Sequence, residues 1–354
     1  MRRGGVLRLG VALACLGGGP ACGGPGASPA TDGAPDRVVV VAQPYLTYGA
    51  LWLAETEGLF ERRGLDVELM RMAGTEPAVP LLVRGDVDVL TAHPAPGLLN
   101  AILRGARVRM VAAAGGEGIG GCSYLAVLAR PGLLPHIEPA DSRSGEGSRS
   151  SSAPAAVSRV SVNRQAVMRY VADRILARRG LDLDDLHIVD VPPAARIEAL
   201  RTGAIDATLA GEPFLTRTLT AGAGEVWSTL DEALPGSRLS FLFFGPRLLD
   251  ADRDVGERFL AAYLEALDQL AAGKTPRNRD RLAQAIEEDA EVLGQACWPF
   301  ADADGRPEPD MLMDFQTWAV ERGLLDEIVP LERLWDDSLL TRAHAILDGQ
   351  AGGG

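Results

Sequence analysis

The stretch ALRTGAIDATLAGEP, residues 199–213, contains a helix end, a glycine, a short apolar strand and a polar loop in one unit. The stretch LLVRGDVDVLTAHP, residues 81–94, has the same order, so that Gly85 corresponds to Gly203 and Asp88 to Asp206. A glycine that ends a helix pattern before an apolar strand is typical of an α/β unit. The repetition predicts two similar halves, each of which delivers one polar loop to a shared gap.

On both sides of these stretches, apolar runs alternate with helical patterns along most of the chain, which predicts mostly parallel sheets flanked by helices. The chain has 354 residues, more than the roughly 250–300 at which a single hydrophobic core stops growing, so we expect two α/β lobes with a cleft between them. The predicted strands are 38–42, 64–72, 87–92, 108–114, 124–132, 157–162, 186–191 and 205–210. Near residues 239–245 we expect the chain to cross back to the first lobe.

The expected division places residues 37–121 and 240–354 in the first lobe, together with helices near the C-terminus that have a structural role. Residues 122–239 form the second lobe. A run rich in Ser, Gly and Arg at residues 141–154 is predicted to be a disordered surface insertion within that second lobe.

The N-terminal residues have the layout of an export signal. Arginines flank and enter an apolar run from Val6 to Leu16, which is shorter than the roughly 20 residues that a membrane-spanning helix needs. Ala21-Cys22 resembles the lipobox of bacterial lipoproteins, so we expect residues 1–21 to be removed and Cys22 to be lipidated. Residues 22–36 are then a flexible tether. The alternative is a soluble secreted protein that is cut near Ala30.

Composition excludes several functional classes. The net charge of −13 disfavours nucleic acids and anionic membrane surfaces as partners. The four histidines do not have the spacing of a metal site, and no nucleophile motif or phosphate loop is present, so we expect no catalytic residue, metal or cofactor. Export permits a disulfide between Cys122 and Cys297, but the spacing leaves their pairing open.

In open α/β sheets, ligands bind beyond the carboxyl ends of the strands. This rule selects loops in both predicted lobes. Their candidate ligand-binding residues are Gln43, Tyr45, Tyr48, Thr75, His93, Asn163 and Glu212.

Each candidate also has a structural interpretation. Glu212 precedes Pro213 at a helix start, where the helix dipole favours a carboxylate; in the cleft it favours an amine or a ring N–H over a bare anion. His93 either donates to a ligand or caps the turn at Pro94. Tyr45 and Tyr48 either stack on a planar solute or pack within the lobe.

The remaining candidates are polar residues at strand ends and helix starts. Gln43 either contacts solute or satisfies the neighbouring backbone. Thr75 and Asn163 can cap helices, which would leave backbone N–H groups pointing into the gap, where they would attract an anion. The sequence therefore leaves the charge of the solute open.

Three stretches resemble one known family: VVVVAQPYLTYGALWLAETEGLF (38–60), IVDVPPAARIEALRTGAIDATLAGEPF (188–214) and VPLERLWDDSLLTRA (329–343). They are similar to the solute-binding proteins of nitrate/sulfonate/taurine-type ABC importers, a group that includes binders of thiamine-pyrimidine precursors. The chain departs from this pattern at Asp141, where a Ser-rich run replaces Asp-Leu-x-Gly-Lys. It also has Gln43-Pro44-Tyr45 where precursor binders carry Trp-x-Pro-Asn.

The resemblance implies a two-lobed periplasmic-binding-protein fold with a hinged cleft. It implies a protein that captures a small polar solute and delivers it to an ABC permease. Together with the export signal and Cys22, this predicts an extracytoplasmic protein anchored by lipid; we expect a monomer, although the sequence leaves the oligomeric state open. A sulfonate, nitrate or a heteroaromatic precursor remains open as the solute. Two alternatives remain: an enzyme that resembles those of thiamine-pyrimidine synthesis, with His93 as the candidate residue, or a ligand-sensing lobe of a signalling system.

Overall fold

A computed structural model of the chain contains two sheets flanked by helices, all within Pro35–Gly354. The structure describes residues 34–72, 74, 76–118, 121–133, 157–238 and 240–351. The export signal, Cys22, most of the tether, Thr75 and the insertion 141–154 lie outside the described residues. Within them, no helix is both long and apolar enough to cross a membrane.

Ten strands form within the described residues, and they include a strand in each of the eight predicted segments. They are β1 (Asp36–Ala42), β2 (Leu65–Arg71), β3 (Val89–Ala92), β4 (Arg109–Ala113), β5 (Leu125–Ala129), β6 (Arg159–Ser161), β7 (His187–Ile188), β8 (Ala207–Gly211), β9 (Glu225–Thr229) and β10 (Phe241–Phe244).

The described α-helices lie between and after these strands. They are α1 (Gly49–Thr56), α2 (Val79–Arg84), α3 (Pro96–Leu103), α4 (Ala166–Ala177), α5 (Arg196–Arg201), α6 (Phe214–Thr220), α7 (Leu230–Ala233), α8 (Arg253–Ala271), α9 (Pro276–Ile286), α10 (Ala290–Gln295), α11 (Pro309–Glu321), α12 (Leu331–Leu334) and α13 (Asp337–Ala351).

The strands form two five-stranded sheets with the same arrangement. The first has the order β2-β1-β3-β10-β4 and the second the order β7-β6-β8-β5-β9. In each sheet one strand, β10 or β5, runs antiparallel to both of its neighbours. The prediction of two lobes built on mostly parallel sheets is confirmed.

The antiparallel strand of each sheet follows a crossing of the chain from the other sheet. β5 enters the second sheet after β4 of the first, and β10 returns to the first sheet after β9 of the second. All four residues of β10 are buried, as expected for a strand that is covered on both faces. β9 was not predicted, because only Trp227 and Ser228 of its five residues are buried and the apolar pattern is too short.

The repeated stretch of the sequence forms the same structure twice. Gly85 ends α2 and Gly203 follows α5, with φ angles of 80° and 70°. Residues with a side chain rarely adopt this left-handed conformation. Each glycine lets the chain turn sharply from a helix toward the strand that follows it, β3 or β8.

The two corresponding aspartates also have the same function. Asp88 accepts a hydrogen bond from the backbone N–H of Val39 at 2.9 Å and forms an ion pair with Arg247. Asp206 accepts from the backbone N–H of Arg159 at 2.9 Å and pairs with the same residue's guanidinium. Both carboxylates therefore tie the start of their own strand to the strand beside it.

The C-terminal helices pack against helices of both lobes. α8 packs against α1 and α13, and α11 packs against α4, where the Tyr170 hydroxyl donates to Asp314 at 2.6 Å. Cys122 and Cys297 form a disulfide, which settles the pairing that the sequence left open. It links the crossing after β4 to the segment after α10.

Candidate functional site

A cavity of about 80 Å³ lies at the carboxyl ends of the parallel strands, and both sheets contribute to its wall. The first sheet contributes the loops after β1 and β3, and the second contributes the loops after β6, β7 and β8. Apolar side chains from the second lobe, among them Met168 and Phe214, form much of the wall. Such a cavity, apolar with a few polar groups, is typical of a small-molecule site.

Four of the predicted residues line this cavity: Tyr45, His93, Asn163 and Glu212. They come from four different loops, so the strand-end rule brings together residues that are far apart in the chain. Gln43 and Tyr48 are buried close to the site but are not part of the wall. Thr75 lies outside the described residues.

Gln43 and Tyr48 belong to the packing of the first lobe. The backbone N–H of Gln43 donates to the Thr91 hydroxyl at 3.2 Å, and its carbonyl accepts from the Trp52 indole at 3.1 Å. Tyr48 is fully buried, and its ring centroid lies 6.2 Å from that of His93. Burial raises the pKa of the Tyr48 hydroxyl, which therefore keeps its proton.

His93 lies between the cavity and the segment before β10, where the chain returns to the first sheet. Its Nδ1 is 3.3 Å from the hydroxyl oxygen of Ser240, the residue just before β10. This contact orients the imidazole ring, which offers a donor and an acceptor in its neutral form.

Glu212 follows β8 and is only 5% exposed. Its carboxylate accepts from the backbone N–H of Thr216 at 3.0 Å and from the Thr216 hydroxyl at 2.9 Å. It also accepts from the backbone N–H of Cys297 at 2.9 Å. Burial raises the pKa of Glu212, and these hydrogen bonds offset part of the increase. The carboxylate thus caps α6 and ties it to the segment after α10.

Arg196, a residue that the sequence analysis did not select, also lines the cavity and is 7% exposed. Its guanidinium donates to the carbonyls of Val191 and Leu209, both at 2.9 Å, and to the side-chain oxygen of Asn163. Burial lowers the pKa of Arg196. The strand-end rule would have found it if it had been applied to the predicted strand at 186–191, because α5 begins close after β7.

The acceptors of Arg196 are all neutral. Among the residues that the structure describes, Arg196 forms no ion pair, and Asp190, the nearby carboxylate, pairs with Arg164 at 2.8 Å. The cavity wall therefore holds a buried positive charge next to the Asn163 side chain.

Comparison with known proteins identifies relatives by family and by fold. A model of the NMT1-like family matches residues 42–287. No curated protein sequence matches the chain. The ligand-binding component of an ABC-type import system from Staphylococcus aureus, solved with zinc bound, has a TM-score of 0.68 at 16% identity, over 87% of this chain and 99% of that one.

Two further solved structures are those of binding proteins with a named ligand class. The aliphatic sulphonate-binding protein SsuA from Escherichia coli has a TM-score of 0.65 at 18% identity, over 86% of this chain and 93% of that one. The nitrate-binding protein NrtA from Synechocystis PCC 6803 has a TM-score of 0.66 at 14% identity, over 90% and 91%. The desulfurization enzyme DszB also shares the fold, with a TM-score of 0.63 at 16% identity over 88% and 99%.

Proposed function

The chain belongs to the NMT1-like family, and from this premise we propose that it is the solute-binding component of an ABC importer. It captures a small polar solute between its two lobes and delivers it to a permease in the membrane. The folds of the sulphonate-binding and nitrate-binding proteins support this proposal.

The proposal rests on one observation: loops of both sheets form the wall of the same cavity. Tyr45 and His93 come from loops of the first sheet, whereas Asn163 and Arg196 come from loops of the second. A solute in this cavity contacts both halves at once, so it binds the closed arrangement better than an open one. Ligand binding then shifts the population toward closure, as a capture protein requires.

The location follows from the sequence and the disulfide. We propose that the protein works outside the cytoplasm as a monomer, with the lipidated Cys22 as its anchor and residues 22–36 as its tether. The bond between Cys122 and Cys297 fits this location, because disulfides persist in oxidising compartments. We propose a lobe division at 121/122 and 239/240, which is supported by the membership of β1–β4 and β10 in one sheet and of β5–β9 in the other.

We propose no catalytic role for His93, although an enzyme shares the fold. Its Nδ1 lies 3.3 Å from the Ser240 hydroxyl and its ring lies beside Tyr48, and these contacts support a role in positioning the ring at the cavity wall. Among the described residues, both cysteines are joined in the disulfide, so neither is a free thiol nucleophile.

Thermal-shift and calorimetric titrations of the purified protein test the proposal. The probes are nitrate, short alkanesulfonates and an aminopyrimidine, each compared with chloride at equal ionic strength. At 100 times Kd, a solute that binds only the folded state adds about 2.7 kcal/mol to its stability, which raises Tm by several degrees. The expected stoichiometry is one solute per chain. If no probe of any class bound to the protein, the proposal would be wrong.

A further inference from the structure

A second, larger cavity of about 980 Å³ lies beside the two segments that connect the sheets. Glu117 and Cys122 of the segment after β4 line it, together with Arg238 of the segment before β10 and residues at the start of α11. None of its described wall residues lines the cavity between the two sheets. Its volume is within the range of roughly 300–1,000 Å³ that is usual for small-molecule sites.

Two of the charged groups on this wall are already compensated. Among the described wall residues the cationic one is Arg238, and it forms an ion pair with Asp302 at 3.1 Å. The carboxylate of Asp314 pairs with Arg174 at 3.0 Å. These pairs leave neither an excess positive nor an excess negative charge.

Three further carboxylates on the wall have no cationic partner. Within the part of the chain that the structure describes, Glu117, Glu308 and Asp310 form no ion pair. Glu308 and Asp310 flank the start of α11, where the helix dipole favours a carboxylate, but Glu308 makes no capping hydrogen bond with its side chain. The wall therefore keeps an uncompensated negative charge, which favours a cationic ligand.

The buried part of the wall distinguishes it from an exposed acidic surface. Glu117 is 2% exposed, and its carboxylate accepts from the hydroxyl of Ser123 at 2.7 Å. Ser237, whose carbonyl accepts from the Glu117 backbone, also lines the cavity, and its buried hydroxyl has no partner among the described residues. Buried polar groups without a partner are rare. An ammonium group has three donors and can supply partners to both side chains.

The remaining wall is largely apolar and includes aromatic rings. Trp298, Phe300 and Met311 contribute to it, and Phe300 is 48% exposed. The guanidinium carbon of Arg238 lies 5.2 Å from the centre of the Phe300 ring, so this ring already contacts one cation of the protein. Aromatic rings attract cations, and an apolar wall stabilises the carbon part of a ligand by burying it.

We infer that this second cavity binds an organic cation, in which an ammonium group is attached to an apolar or aromatic body. The carboxylate of Glu117 pairs with the ammonium group, and the side chains of Trp298 and Phe300 cover the body. The inference goes beyond the proposed function and does not depend on it, because the two cavities share no described wall residue.

Three probes with the same ring system separate charge from shape. Tryptamine carries an ammonium group, indole-3-ethanol is neutral, and indole-3-propionate is an anion. Calorimetric titration of the purified protein at pH 8, where the carboxyl group of Glu117 is ionised, compares them. We expect tryptamine to bind at least about tenfold more tightly than indole-3-ethanol, and indole-3-propionate not to bind.

Substitutions locate the bound cation. Glu117→Gln is expected to weaken tryptamine binding at least about fivefold, because it removes the buried carboxylate. Phe300→Ala changes a half-exposed side chain and is expected to weaken it about threefold. Glu327→Gln is the matched control, since it removes an exposed carboxylate that does not line the cavity, and it should leave the affinity unchanged.

A second variant keeps the test valid if Glu117→Gln does not fold. Glu308→Gln combined with Asp310→Asn removes two exposed carboxylates of the same wall and is expected to weaken tryptamine binding as well.

The inference is overturned if the three probes bind equally, if tryptamine does not bind the wild type, or if Glu117→Gln and Phe300→Ala both bind it as tightly as the wild type. Loss of tryptamine binding in Glu212→Gln but not in Glu117→Gln would also overturn it, since it would place the cation between the two sheets. None of these outcomes affects the proposed function, which the separate titrations with nitrate, alkanesulfonates and an aminopyrimidine test.

Discussion

At the level of single residues, Glu117 lies where the chain crosses from the first sheet to the second. It is 2% exposed, its carboxylate accepts from the Ser123 hydroxyl at 2.7 Å, and its backbone N–H donates to the carbonyl of Ser237 at 2.7 Å. Burial raises the pKa of Glu117 to about 7, and the hydrogen bond from Ser123 offsets only part of the increase. The carboxyl group of Glu117 therefore titrates around neutral pH.

Glu117→Gln tests this titration. The folded chain keeps the proton up to about pH 7, whereas the unfolded chain releases it near the ordinary value of 4.5. Between these values the unfolded state binds fewer protons, so the free energy of unfolding of the wild type falls as pH rises, by about 3 kcal/mol in total. Glu117→Gln has no carboxyl group to titrate at this position, so its free energy of unfolding does not fall for this reason. Urea denaturation near pH 4.5 and near pH 8 should show a stability advantage of the variant that grows with pH.

The control for this experiment is Glu308→Gln. Glu308 is exposed and lines the same cavity of about 980 Å³ as Glu117. A stability advantage of Glu117→Gln that is the same at both pH values would mean that the titration of Glu117 is not coupled to folding.

At the level of elements, the repeated helix–glycine–strand unit depends on backbone conformation as much as on apolar packing. Gly203 has a φ angle of 70°, and Asp206 ties β8 to β6 three residues later. Burial alone would raise the pKa of Asp206, but hydrogen bonds from Arg159 and Ser158 outweigh it and lower the pKa. The tight turn and the carboxylate together fix the start of β8 against β6.

Gly203→Ala is expected to lower the free energy of unfolding by about 1–2 kcal/mol, the cost of the left-handed conformation for a residue with a Cβ. The space around the position is not the cause, since the nearest side-chain atoms, in Arg130, lie 3.9 Å from the place that the added methyl group would take. Gly97→Ala is the matched control on an exposed turn of α3, where nothing lies within 4 Å. It should raise stability by up to about 1 kcal/mol. Urea denaturation that shows equal effects for both substitutions would contradict this explanation.

At the level of the whole molecule, the second lobe contacts the C-terminal helices through Glu212, which lines the cavity, and through Arg217. Glu212 accepts from the backbone of Cys297, and Arg217 of α6 forms an ion pair with Glu288, just after α9, at 2.7 Å. Because α9 packs against α1 of the first lobe, these contacts hold the two lobes together in the closed arrangement.

Arg217→Met is therefore expected to weaken nitrate binding about two- to fivefold, although Arg217 does not line the cavity. The buried carboxylate of Glu288 loses its cationic partner, so an open arrangement that hydrates it becomes more favourable. Calorimetry gives the dissociation constant.

The control is Arg84→Met, which removes an arginine from an exposed ion pair with Asp86 and should leave the dissociation constant unchanged. Identical affinities for the wild type and Arg217→Met would show that this ion pair does not stabilise closure.

The disulfide is a second constraint on the whole chain, because Cys122 and Cys297 are 175 residues apart in sequence. Replacing both cysteines with serine should lower the free energy of unfolding by about 2–5 kcal/mol, since the unfolded chain gains freedom. Urea denaturation measures the loss, and reduction of the wild type before unfolding should reproduce it. An unchanged denaturation midpoint in both experiments would contradict the expectation.

The α/β elements, the two halves and the loops of the site could be predicted from the sequence, because apolar periodicity and glycine positions act over a few neighbouring residues. From this local information Tyr45, His93, Asn163 and Glu212 could be placed at one cleft. The strand β9 could not be predicted in this way, because its apolar pattern is too short.

The hydrogen-bond partners of the charged groups in the cleft, in contrast, depend on the three-dimensional fold. Glu212 receives a donor from Cys297, 85 residues away, and Arg196 contacts Asn163, 33 residues away. Whether a buried charge has a partner depends on such distant contacts, and no local pattern records them. For the same reason, the pairing of Cys122 with Cys297 depends on two segments that are 175 residues apart in sequence and meet in the fold.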